Sequence, residues 1–122
     1  MKNNLFLLII LLIMVSFSAN SQEKSNYYFS AVVNGDLEAV TEKVKAALKT
    51  QGFGVVTELD MDKTLEEKLE DVEVPGYKIL GVCNPSYAHK AMQAEDNIGL
   101  FLPCKVLVKE INTRTSEVVM VN

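Results

Sequence analysis

Histidine, glycine and clustered positive charge are all scarce in this chain, and each shortage removes a class of function. His89 is the only histidine among 122 residues, so a Ser-His-Asp constellation has one possible base. No serine stands in the G-x-S-x-G context that exposes a nucleophile. The six glycines form no phosphate cradle, because Gly52-Phe53-Gly54 lacks the lysine and the spacing of a nucleotide loop. Basic residues number 12 against 16 acidic ones and nowhere cluster, which excludes the counterion-displacing surface that nucleic acid requires. Cysteine is limited to Cys83 and Cys104, enough for one disulfide and without the short C-x-x-C spacing of a dithiol oxidoreductase. An acidic stretch over residues 58–73 opens on Asp60-x-Asp62, but Leu65 stands where a calcium loop needs glycine. It reads as a solvated helix face and loop.

Apolar length is limited too. The one unbroken apolar run covers residues 5–15, well short of the roughly 20 residues that cross a bilayer as a helix. Lys2 precedes it, and Ser16, Ser18, Ala19 and Ser21 follow. That is the three-part layout of a secretory leader over residues 1–21, with cleavage after Ser21. Residues 22–122 then form a single small domain with one modest core, carrying 11 basic and 16 acidic residues once Lys2 is lost, a formal charge of −5. The expected location is the periplasm or the extracellular space, with membrane contact only through an uncleaved leader. No cysteine follows the cleavage point, which argues against a lipid-modified N-terminus.

Local signals agree along the rest of the chain. Residues 27–33 are aromatic and β-branched and stop at Asn34-Gly35, a strand closed by a turn. Leu37, Val40, Val44, Ala47 and Leu48 then recur at helical spacing behind Asp36 as N-cap, and Gly52 ends the helix. A second strand over residues 53–60 is expected to turn Phe53, Val55, Thr57 and Leu59 to one face. Thr64 to Glu67 has the capping-box pattern of a short helix, and Val74-Pro75-Gly76 turns the chain. Residues 77–83 read as a strand buried on both faces. Asn84 and Pro85 are a preferred N-cap and first-turn residue, so a helix is expected to residue 94 or 95. Residues 98–102 and 105–111 look like strand, interrupted at Pro103, and residues 117–121 like a last strand.

The stretches GFGVVTELD, TLEEKL, YKILGVCNP and IGLFLPCKVLV together resemble the domain-of-unknown-function 302 family over residues 28–119. CNP followed at a distance by LPC is the most specific part. The resemblance implies an α+β fold, a two-layer α/β sandwich with a small mixed sheet and helices on one face. It implies pairing as a homodimer, and neither an agreed activity nor a cofactor. By position it points to Cys83, Asn84, Pro85, Pro103 and Cys104 as the residues of interest. Members of the family usually continue past the final strand into a C-terminal helix, whereas this sequence stops at Asn122. A partner subunit is the simplest expected cover for the sheet face or edge left over.

If the strands ending in Cys83 and Cys104 are joined by the helix that starts at Pro85, they are expected to run parallel as a β-α-β unit. Each cysteine then lies six residues into its strand, the two sulfurs side by side near a helix N-terminus that favours a thiolate or another anion. Three readings stay open: a domain binding a small ligand or protein partner at this end, a thiol-based redox or sulfur-handling protein, and a homodimeric interaction module whose cysteines only pack. None requires an enzyme, and no catalytic set is apparent. His89, with Met92 three residues on, is a further candidate for a soft metal. Its spacing matches no recognised metal motif, and the ordinary reading is a solvent-facing histidine.

Overall fold

In the computed structural model, residues 27–122 are described. The leader and its cleavage point lie outside the described residues. The order is β1 (Tyr28–Asn34), α1 (Leu37–Thr50), β2 (Gly54–Asp60), α2 (Met61–Lys68), β3 (Tyr77–Cys83), α3 (Pro85–Ala94), a 3-10 helix (Asp96–Phe101), β4 (Cys104–Asn112) and β5 (Thr115–Val121). The strands form one five-stranded sheet in the order β1-β5-β4-β3-β2. Every neighbouring pair is antiparallel.

The α+β class and the helix-on-sheet layering are as expected; the mixed sheet is not. Strand β3 leaves the sheet at Cys83, and the chain returns at Cys104 beside the residue it left, since Cys104 pairs with Val82. The intervening α3 and 3-10 helix pack mainly on each other and contain no buried residue. This excursion is therefore the long loop of a hairpin and not a crossover, which is why β3 and β4 run antiparallel. Residues 98–102 form no strand because both edges of β4 are already taken, by β3 and β5. The Ile98 and Leu102 amides instead donate to the Glu95 and Gly99 carbonyls, the short spacing of a 3-10 turn.

Strand alternation divides the sheet into two faces. Leu80 and Val82 of β3 and Val106 and Val108 of β4 point to one of them and, with Val40 of α1, form the buried core. Leu37, Val44 and Leu48 of α1 close over it from the helix side, with Val33, Val55 and Val118 from the sheet side. Burying a side chain such as Leu80 is worth about 1.5–3 kcal/mol, and that apolar stripe holds α1 to the sheet. Asp36 caps α1, its carboxylate accepting from the Ala39 amide at 2.8 Å. Gly52 ends it at φ +79°, the left-handed region that glycine enters without strain.

Two local expectations are corrected. A bulge between Val55 and Thr57 breaks the alternation of β2, so Val55 faces the core opposite Val82 while Thr57 and Leu59 face the other way, opposite Gly81 and Ile79. Helix α2 begins at Met61, ahead of the expected capping box, and the Thr64 hydroxyl donates to the Asp60 carbonyl at 2.8 Å. The hydroxyl spent on that bond lies inside the helix and is no cap.

Candidate functional site

Asn84 and Pro85 start α3 as the sequence implies. The Asn84 Oδ1 accepts from the Ser86 and Tyr87 amides at 3.1 and 3.3 Å, and Pro85 occupies the first turn. Those amides are the donors that the sequence reading offered to a thiolate or an anion. In the structure the cap itself takes two of them.

The cysteines do not form a side-by-side pair. Cys104 is opposite Val82 and Cys83 opposite Gly54, so the two side chains project to opposite faces of the sheet. The parallel arrangement that aligned the sulfurs is absent from the antiparallel register. Both cysteines are free, Cys83 half-buried and Cys104 exposed. Pro103 sits over Gly81, where a built Cβ would meet its ring at 2.7 Å and would also collide with the Thr57 hydroxyl. This glycine of β3 allows the close approach of Thr57 on β2 and of Pro103 just ahead of β4. His89 and Met92 are exposed on α3. Among the described residues no three His, Cys, Asp or Glu side chains converge on a metal position.

The register yields a labelling prediction. Without denaturant or reductant, a maleimide is expected to modify Cys104 rapidly and Cys83 slowly, with mass analysis showing the same two thiols before and after reduction. Labelling that appears only after reduction would show a disulfide and contradict this register.

Two features went unrecognised in the sequence. The first is Lys78, inside the apolar strand YKILGVC and only 5% exposed. Its ammonium lies 2.9 Å from Glu58, 3.1 Å from Asp60 and 3.2 Å from Glu38. Lys45 and Lys63 hold the outer sides of Glu58 and Asp60. Burial by itself would lower the Lys78 pKa, but the hydrogen bonds its ammonium donates to Glu58, Asp60 and Glu38 outweigh it and raise it above 10.5. Hydrogen bonds from Lys45 and Lys78 hold Glu58 below its ordinary range, and those from Lys78 and Lys63 do the same for Asp60. Within the network each charge has a partner of opposite sign, so it fixes β2, β3 and α1 together. A lysine at a core-facing position of a strand was the available signal.

The second feature is the sheet face away from the core. Its residues fall into rows across the strands. One row holds Ile79, Leu107, Val119 and Ser30; the next holds Tyr77, Lys109, Glu117 and Val32. Beyond the first row lie Gly81 with Lys105, and Val121 with Tyr28. Among the described residues, Val119 is the only apolar side chain buried on this face. Val32 is 64% and Val121 66% exposed. Lys109 and Glu117 pair at 2.8 Å, which raises the lysine and lowers the glutamate. A cavity of about 390 Å³ opens here, with Tyr28, Lys105, Leu107, Lys109, Val119 and Val121 among its walls.

The comparisons with known proteins agree on one family. A family model described as "Domain of unknown function DUF302" matches residues 29–122. The crystal structure of an uncharacterized conserved protein DUF302 from Bacillus stearothermophilus is similar in fold and sequence, with a TM-score of 0.71 and 29% identity. The match covers 79% of this chain and 73% of that one. No curated protein matches the chain.

Proposed function

Since the chain belongs to the DUF302 family, whose description names no activity, we propose from its geometry that it is a homodimeric interaction module that binds and does not catalyse. One observation carries the reading: α1 covers one face of the sheet, while the opposite face presents partly exposed apolar side chains from all five strands, Val32 and Leu59 at its margins and Leu107 near its centre. Five strands about 4.8 Å apart, four of them seven residues long and β4 nine, at about 3.4 Å per residue span roughly 550 Å² in projection. Side-chain relief brings that near the ~800 Å² per partner of a standard stable interface. Lys109 and Glu117 neutralise each other within the face, and Lys105, exposed in the end row beyond them, keeps its ammonium at the rim of a paired face.

A second copy is the occupant. Two such faces related by a two-fold axis bury the same residues on each chain. Exported through the leader at residues 1–21, the module works in the periplasm or outside the cell, and Cys83, half-buried at the end of β3, serves packing while Cys104 stays exposed. Binding centred on Cys83 and Cys104 loses its support because the register parts the sulfurs. Sedimentation velocity on the purified chain tests the proposal: a species of twice the chain mass at micromolar concentration is expected, and a monomer throughout the micromolar range contradicts it.

A further inference from the structure

We propose that the cavity on the open face binds a small amphiphile with one anionic head, carboxylate or phosphate, and that Lys105 recognises the head. The walls divide in character along β4. At one end stands the Lys105 ammonium, which donates to the Pro103 carbonyl at 2.6 Å. Among the described residues no carboxylate pairs with it. In the middle lie Leu107 and Val119, paired across β4 and β5, with the Tyr28 and Val121 pair beside them. The Lys109–Glu117 ion pair closes the other end. From Lys105 to Lys109 is four residues, about 13 Å along an extended strand.

Each part selects something. The middle is apolar and takes a hydrocarbon body, which its neighbours would reject if it were polar. Lys109 is spoken for by Glu117, so it adds no demand for a second negative charge. Lys105 has three donors and one of them is used on a carbonyl, leaving a cation that an anionic head meets with charge-assisted hydrogen bonds. The cavity volume of about 390 Å³ falls in the range of about 300–1,000 Å³ usual for small-molecule sites. The span suits a chain of medium length and not a long lipid tail. All of these walls come from one chain, so the inference does not rest on pairing, although a second copy on the same face would roof the cavity.

The test titrates the purified chain with octanoate, octyl phosphate and octanol, following methyl resonances of Leu107, Val119 and Val121 and heats of binding. Octanoate or octyl phosphate, or both, is expected to saturate the site and move those methyls, with octanol about tenfold weaker for want of the charged head. The comparison of the two anions shows which head the site prefers. Lys105→Met is expected to reduce the anions to the level of octanol, while Lys90→Met on α3 changes nothing. Equal affinity for octanol and octanoate, no effect of Lys105→Met, shifts confined to another surface, or no saturation at millimolar ligand each overturns the proposal. Saturable binding by a chain that sediments as a monomer supports the cavity and rejects the homodimer, so the two readings fail separately.

Discussion

Replacing Lys78 with methionine is expected to cost the domain about 2–3 kcal/mol at neutral pH, seen as a lower urea midpoint with little change in slope. Removing one partner of a buried ion pair usually costs more, about 3–5 kcal/mol, because the remaining charge stays buried and unpaired. Here Glu58 and Asp60 are each about one-third exposed and keep Lys45 and Lys63, so solvent and the remaining partners moderate the loss. For a domain of this size the change corresponds to a fall of about 10–20 °C in Tm.

The pH dependence follows from the signs. Glu58 and Asp60 titrate below their ordinary values of 4.5 and 3.8 when folded. Their contribution is complete above those values and is lost as pH falls through the folded pKa. Lys78 titrates above its ordinary 10.5, so its contribution is complete below 10.5 and is lost as pH rises through the folded pKa. The native chain should therefore hold a stability plateau across the neutral range and weaken at both extremes. In Lys78→Met the alkaline loss is expected to shrink, and the acid limb should fall less steeply because the carboxylates have lost a partner that favoured their charged form. A variant as stable as the native chain at pH 7 would show that the network contributes nothing to the fold.

Leu107→Glu is expected to weaken self-association at least a hundredfold while leaving the circular dichroism spectrum unchanged. Leu107 is half-buried on the open face and lies between Ile79 and Val119 in the register. A glutamate there can reach water in the monomer but not beneath a second sheet. A two-fold interface carries the substitution twice, and an unpaired charge in each copy costs several kcal/mol to bury, against 1.4 kcal/mol per tenfold in affinity. Sedimentation equilibrium of the native and variant chains measures the shift directly. An unchanged dissociation constant would remove this face from the interface.

The features readable in the sequence are those set by neighbours along the chain. Asp36 and Asn84 accept from amides two or three residues ahead, so their caps follow from residue type and position alone. The apolar spacing of α1 is likewise local. Strand pairing is not: nothing within residues 84–103 states that the helix among them folds back on its own 3-10 turn instead of crossing the sheet. Both faces of β4 are partly apolar as well, with Cys104, Val106 and Val108 on one and Leu107 on the other. Alternation therefore could not say which face was covered. The bulge at Val55 to Thr57 shows the same limit, because it depends on the fit of β2 against β3. The cysteines drew attention through their rarity, and only long-range register shows that their side chains part.

The most direct test of the proposed pairing is a filtered NOE experiment on a mixture of isotope-labelled and unlabelled chain at high micromolar concentration. Intermolecular contacts among Ile79, Leu107, Val119 and Val32 are the predicted result. Contacts that instead involve the outer surface of α1, or none between chains, would contradict the open face as the binding surface.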